Sequence, residues 1–306
     1  MQLTRLHPMP FFERPPLDSL APAKDRWTPI YVERGRLEVD DASVKWINCD
    51  GLIVGLPIAT ISALILGPGT TITHAAVKTC AQSNCPIFWM GEDGMRFYAF
   101  GITPNHDNSM ARIHATAWGT SRQKNEIARR MFLKRFPEAN VHGISITQLR
   151  GMEGRRVKQV YAEFGQKYGV TWKGRDYKTN NWNLADGINR ALSTANASLY
   201  ALTAAVTCSM GFIPQLGFVH QAGTLPFVYD VSDLYKKETS WDAAFEAISI
   251  DSKADSKLVL KILKRKIEEA RLLKLMPLDL KKLFDDLPGR APKEVSDHPL
   301  QPKTGE

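Results

Sequence analysis

The segment HQAGTLPFVYDVSD, residues 220–233, sets one histidine and two aspartates in an otherwise apolar run. Pro226 suits the first turn of a helix, where its missing N–H costs nothing. A helix starting there puts Asp230 and Asp233 at positions i and i+3, on one face. Two carboxylates so close repel, so a positive charge belongs beside them. Carboxylate oxygens suit Mg²⁺ and Mn²⁺, and an imidazole from His220 tilts the set slightly toward Mn²⁺. Taken alone, the spacing also fits an exposed acid pair beside a buried, hydrogen-bonded histidine. A second stretch, LRGMEGRR at 149–156, shifts the balance toward chemistry. It sets Glu153 among Arg150, Arg155 and Arg156 on a predicted helix. Glycine inside a helix costs about 1 kcal/mol relative to alanine. Gly151 and Gly154 therefore point to close approach by another backbone or a ligand. Glu153 reads either as a third cation ligand ringed by phosphate-binding arginines, or as an acid paired with those arginines on a solvated face.

The elements that must hold these residues follow from the patterning. From Trp27 to Gly101 the chain reads as strands. IYVERGRLEV is expected to be a hairpin around Arg34-Gly35, followed by SVKWIN with alternating character. Residues 51–67 are uncharged but broken by Pro57 and rich in β-branched side chains, which predicts two short strands. THAAVKTCAQS has helical spacing, with Thr73 as N-cap. PIFWM and MRFYAFG flank GEDG as a further hairpin. Beyond TPNHDNS the texture becomes helical, first over 109–135. SITQ at 145–148 is a capping box opening a helix with Leu149, Val157, Val160, Tyr161 and Phe164 on one stripe. Residues 191–219 carry no charge but many Ser and Thr, which fits a buried helix better than a membrane span. Helices over 240–249 and 252–275 follow. The expected class is α+β: a β-rich domain over 1–104, an all-α catalytic domain over 105–287, and a tail over 288–306 whose composition forms no core.

Composition narrows the setting. The chain has 306 residues, 43% hydrophobic, enough for a proper core. Lys and Arg total 40 against 32 acids, a net +8 that favours a polyanionic partner. The excess is concentrated: residues 145–175 hold seven Lys/Arg against two acids, and 252–275 hold eight against three. Four cysteines without CxxC spacing argue against zinc and suit a reducing cytoplasm. MQLTRLHPMPFFERPPL has no apolar signal core, so neither export nor a membrane role is expected.

QLRGMEGRRV, GFVH and PFVYDVSDLYK together resemble the three signature segments of the CRISPR-associated adaptation endonuclease/integrase family, which inserts new spacers into CRISPR arrays. PGTTITHAAV, YGVTWKGR and GEDGMRFYA resemble its subtype I-E branch, so the resemblance runs from about residue 27 to 275. It implies a β-rich N-terminal domain, an all-α catalytic domain, and one divalent cation held by Glu153, His220 and Asp233. Asp230 belongs to the same acidic cluster, in support or as an occasional ligand. It further implies a homodimer formed through the β domain, two such dimers flanking a dimer of the smaller second adaptation protein in a heterohexamer, and one working site per dimer.

With Mg²⁺ or Mn²⁺ in that site, the expected reaction is attack of a spacer precursor's 3′-hydroxyl on a phosphate at the edge of a repeat, a transesterification. The expected DNA contacts are Arg150, Arg155, Arg156, Lys173, Arg175 and the Lys261–Arg271 helix with Lys264 and Arg265, since cations hold DNA through its phosphates. Tyr229 is read either as a base-stacking residue or as core, and His74 either as a DNA contact or as a helix-start residue. Two other functions share these features: a structure-specific nuclease acting on branched DNA in repair, and a nonenzymatic nucleic-acid scaffold.

Overall fold

The computed structural model describes residues 29–40, 43–91, 97–101, 108–137, 144–174 and 186–287. The expected tail over 288–306, Arg175 and the 104/105 domain boundary lie outside these residues. Arg150 falls within a helix, but its side chain is also outside them.

The chain begins β-rich and continues helical. Strands β1 (Pro29–Val32), β5 (Ala63–Leu66), β7 (Ile87–Met90) and β8 (Phe97–Gly101) form one four-stranded sheet. Strands β2 (Gly35–Asp40), β3 (Ser43–Asn48), β4 (Ile53–Leu56) and β6 (Thr70–Ile72) form a second, ordered β4-β3-β2-β6. The hairpin expected around Arg34-Gly35 is not one. β1 pairs parallel with β5, while β2 pairs antiparallel with β3 and parallel with β6. Arg34 takes a left-handed conformation (φ 51) and passes the chain from one sheet to the other. Local alternation cannot separate a hairpin from two strands that part company, because both bury every second side chain. The uncharged stretch 51–67 does yield two short strands, β4 and β5.

β5 explains how the β-rich part is fastened to the rest. All four of its residues are buried. Leu64 and Leu66 face the core shared with Leu37, Val44 and helix α1 (His74–Gln82). Ala63 and Ile65 face the opposite way, onto Ala201, Ala205 and Cys208. These last three belong to helix α5 (Gly187–Ser209). A strand covered on both faces reads as continuously apolar.

The helical part is built around α5. It packs against α6 (Pro226–Asp233), α7 (Asp242–Ile250), α8 (Ser256–Glu269) and α9 (Leu272–Leu283). This accounts for the absence of charge beyond Arg190, and its hydroxyls are satisfied locally. Thr207 donates to the Thr203 carbonyl at 2.8 Å, and Ser232 of α6 donates to Thr203 Oγ1 at 3.0 Å. Among the described residues no helix is long and apolar enough to cross a membrane.

Two long helices expected from the pattern are each broken. The stretch 109–135 divides at Thr120, in extended backbone, into α2 (Ser109–Gly119) and α3 (Ser121–Arg135). The stretch 252–275 is capped by Asp255 and interrupted at Arg271, which is left-handed (φ 48). The first break follows Gly119, the last residue of α2, whereas the second carries no Gly or Pro and is not marked in composition. The capping box at Ser145 is present and opens α4 (Ile146–Tyr168), which ends on left-handed Gly169. Pro226 sits in the first turn of α6, and a π-helical turn over Lys237–Trp241 joins α6 to α7.

Candidate active site

His220 lies on the irregular segment between α5 and α6, and three groups hold that segment in place. The first is at its entry. His114 of α2 is completely buried among Phe212, Phe218, Phe227 and Phe284. Its Nε2 donates to the Leu216 carbonyl at 2.8 Å, and its Nδ1 accepts from Ile213 N–H at 3.2 Å. Only the neutral Nε2–H tautomer satisfies both bonds. Trp118, one turn along α2, donates to the Gly217 carbonyl at 3.0 Å. Gly217 itself cannot carry a side chain, because a Cβ there would overlap the His220 carbonyl oxygen.

Burial lowers the His114 pKa to about 4. The unfolded chain thus takes a proton near pH 6.5 that the folded chain refuses until about pH 4. Stability carried by the neutral ring is complete above pH 6.5 and is lost as the pH falls toward 4. Urea unfolding at pH 7.5 and pH 4.5 should show an acid-induced loss smaller by about 2 to 3 kcal/mol in His114→Gln than in the wild type. Equal losses in the two proteins would mean that His114 is not buried as a neutral ring.

The second anchor is Asp230, whose side chain is fully buried. One carboxylate oxygen accepts the N–H groups of Phe218 at 2.6 Å and Val219 at 3.0 Å. The other accepts His220 N–H and His220 Nδ1–H, both at 2.7 Å. The contact with Nδ1 fixes the tautomer, so Nε2 carries the lone pair. That nitrogen lies 4.0 Å from Asp233 Oδ2. The hydrogen bond to Asp230 raises the His220 pKa, with burial opposing it. The third anchor is aromatic. Tyr229 packs edge-on to His220 at 6.1 Å and to Tyr200 at 5.0 Å.

Glu153 and Asp233 complete the pocket, whose lining includes His220, Asp230, Arg135 and Val219. Glu153 reaches it from α4 and Asp233 from the last turn of α6. The arginine on Glu153 is neither a neighbour in sequence nor on its own helix. It is Arg135 of α3, which forms a close ion pair with Glu153 and lies 3.5 Å from Asp233 Oδ2. On the other side, Lys236 Nζ is 2.5 Å from Asp233 Oδ1. With Lys236 on one carboxylate oxygen and Arg135 near the other, Asp233 is neutralised from both sides. Burial pushes the Asp233 carboxyl up, but Lys236 and Arg135 outweigh it and hold the group ionised, below its ordinary range. Lys236, packed over the Tyr200 ring at 4.7 Å, is correspondingly pushed up by Asp233 against the effect of burial.

Two carboxylates and one imidazole with a directed lone pair are a donor set that suits Mg²⁺ or Mn²⁺. Asp233 is a buried carboxylate now neutralised by Lys236 and Arg135, and an ion in the pocket would take over part of that role. As the side chains stand, Arg135 separates Glu153 from Asp233. Among the described residues no three His, Cys, Asp or Glu side chains converge tightly enough to enclose an ion.

The structure brings Glu153, His220, Asp230 and Asp233 to one pocket, and among the described residues none of the expected DNA contacts lines it. Arg155, Lys173, Lys261, Lys264, Arg271 and His74 are exposed elsewhere. Arg156 lies over the Phe136 ring at 4.9 Å. Arg265 is engaged by Glu246 and by Glu269. Tyr229 is half-buried. Among the described residues a Cβ at Gly151 or Gly154 meets nothing within 4 Å, so the expected close approach by another backbone is not found there. Three site residues escape sequence reasoning. Lys236 leaves a faint signal, three residues beyond Asp233. Arg135 is one of several cations ending α3, and His114 is one polar residue in an apolar helix.

Several known proteins are similar to this chain. The family described as CRISPR associated protein Cas1 matches residues 131–252, a span holding Glu153, His220, Asp230 and Asp233. The CRISPR-associated endonuclease Cas1 2 of Chlorobaculum tepidum is 43% identical over 229 residues, covering 74% of this chain and 77% of that protein. The Cas1 2 endonuclease of Thermus thermophilus is 38% identical over 271 residues, covering 89% and 83%. A solved TtCas1–DNA complex superposes with a TM-score of 0.76 at 38% identity, covering 86% of this chain and 98% of that one.

Proposed function

The chain belongs to the Cas1 family of CRISPR-associated endonucleases, and from that premise we propose that it is a metal-dependent DNA integrase of CRISPR adaptation. It joins the 3′-hydroxyl ends of spacer precursor DNA to the repeat of a CRISPR array by transesterification. The observation that carries this reading is the His220–Asp230 pair. It aims a fixed imidazole lone pair into a pocket shared with Glu153 and Asp233. Mg²⁺ or Mn²⁺ held by Glu153, His220 and Asp233 would polarise the reacting phosphate and stabilise the departing 3′-oxygen.

The remaining work falls to the chain's own groups. Asp230 keeps the proton on Nδ1, so His220 acts as a neutral ligand rather than a base. Lys236 keeps Asp233 ionised. No protein nucleophile is required, because the precursor's 3′-hydroxyl forms the new ester bond as the old one breaks. Exposed Arg155, Lys173, Lys261 and Lys264 hold the backbone phosphates. The DNA complex of the similar TtCas1 supports a DNA substrate.

We assign the chain to the subtype I-E branch on its PGTTITHAAV and YGVTWKGR segments. The β-rich part supports a homodimer. Edge strand β4 leaves Ile53 60% exposed beside Leu52 at 59%, an apolar edge that a second copy would cover. Two dimers then flank a dimer of the small second adaptation protein, in the cytoplasm.

A plasmid assay with purified protein, the small partner, short duplex DNA and Mn²⁺ tests the reading. Joining at an array leader supports it. Cleavage without array preference would make the chain a structure-specific nuclease, and binding without chemistry would make it a scaffold. Duplex affinity should fall by at least about tenfold between 50 and 200 mM salt, as neutralisation of several phosphates requires. A flat response would remove the basic residues from the interface.

A further inference from the structure

Arg135 occupies the space that the proposed function gives to a metal. Its Nη1 is paired with Glu153 Oε1 and lies 3.5 Å from Asp233 Oδ2. His220 Nε2 lies 4.0 Å from that same Asp233 oxygen. One guanidinium nitrogen therefore stands between two of the three proposed ligands, which come from different helices. The arrangement is not a loose surface pair, since the Arg135 side chain is 11% exposed and that of Glu153 17%. An Mg²⁺-like ion needs its oxygens at about 2.0–2.1 Å, and it cannot take up Glu153 Oε1 and Asp233 Oδ2 together while the guanidinium stands between them. Arginine stays protonated at any working pH, so the exchange is a displacement rather than a titration.

The structure also offers the side chain somewhere to go. Arg135 and Asp233 form the wall between the acidic pocket and a second pocket lined by Val160, Lys237, Glu238 and Trp241. The Glu238 carboxylate there is a ready partner for a displaced guanidinium, and the Phe136 ring is already 5.3 Å from Arg135.

We propose that Arg135 is a resident cation of the acidic cluster. It holds Glu153 and Asp233 together in the metal-free protein and is displaced into the second pocket when a divalent ion binds. This inference rests on the metal reading of the site. Arg135 then opposes metal binding, and its removal tightens it.

The test is Mn²⁺ affinity of the full chain, measured by titration against the electron paramagnetic resonance signal of free Mn²⁺. Wild type, Arg135→Gln and Arg135→Lys are compared, with circular dichroism as a check on folding. Arg135→Gln should bind on the order of tenfold more tightly, as loss of one close opposing charge implies. Arg135→Lys, which keeps a charge but not the two-oxygen reach, should fall between. In EDTA, Arg135→Gln should also melt below the wild type, with the gap narrowing at saturating Mn²⁺. If the wild type binds and both variants bind equally well or more weakly, Arg135 is a strut and the inference is overturned while the metal site stands. If no protein binds Mn²⁺, the metal reading fails and takes the inference with it.

Discussion

His220→Ala is expected to slow strand joining by about a thousandfold or more, the scale of losing a group that acts on charge developing in the transition state. The reason is geometric. His220 supplies the one imidazole in the pocket lining, and the carboxylates beside it do not replace a neutral nitrogen ligand. Its loss should do little to the fold. The imidazole is 42% exposed, and Asp230 keeps the three backbone N–H groups it accepts from residues 218–220. Duplex affinity should stay within a few-fold, because phosphate contacts supply most of it. A variant that joins strands at the normal rate would show that His220 is not part of the reacting centre.

Asp230→Ala is expected to fail differently, in stability first. Its carboxylate is fully buried and accepts four bonds, so truncation leaves Phe218, Val219 and His220 N–H without partners. Loss of such a buried acceptor costs about 3 to 5 kcal/mol, a large share of the roughly 5–15 kcal/mol that holds a domain folded. A melting point lower by about 10 °C follows for a chain of this size. Asp230→Asn keeps an acceptor oxygen but sets amide hydrogens against backbone N–H groups. It should fold better than the alanine variant yet bind Mn²⁺ about 10- to 100-fold more weakly, as loss of a ligand's orienting partner does. If Asp230→Ala melts with the wild type, the 218–220 segment is anchored by something else.

The two aspartates show how far sequence reasoning reaches. Their helical spacing, with Pro226 at the helix start, is enough to put both on one face of α6. Their division of labour was legible only through resemblance. Asp230 turns back onto the segment that precedes it, and Asp233 faces Arg135 and Lys236. Short-range patterns with a strong local cause were readable: the Ser145 capping box, the Thr73 cap, the buried uncharged helix. Long-range choices were not. The sheet exchange at Arg34 depends on which strand β1 meets some thirty residues later. The Arg135–Glu153 pair joins two helices, whereas the sequence around Glu153 suggested Arg150, Arg155 and Arg156 as its partners. His114 reaches the site through a hydrogen bond spanning 102 residues, which no local window contains.

The central claim is that Glu153, His220 and Asp233 together hold one divalent ion, with Asp230 orienting the histidine from behind. Anomalous diffraction from Mn²⁺-soaked crystals of the full chain tests it most directly. The account predicts a single peak within about 2.0–2.3 Å of a carboxylate oxygen of Glu153, a carboxylate oxygen of Asp233 and Nε2 of His220. Asp230 should remain on the three backbone N–H groups, out of contact with the ion. A peak bonded to Asp230, or no peak in this pocket at saturating Mn²⁺, would contradict it.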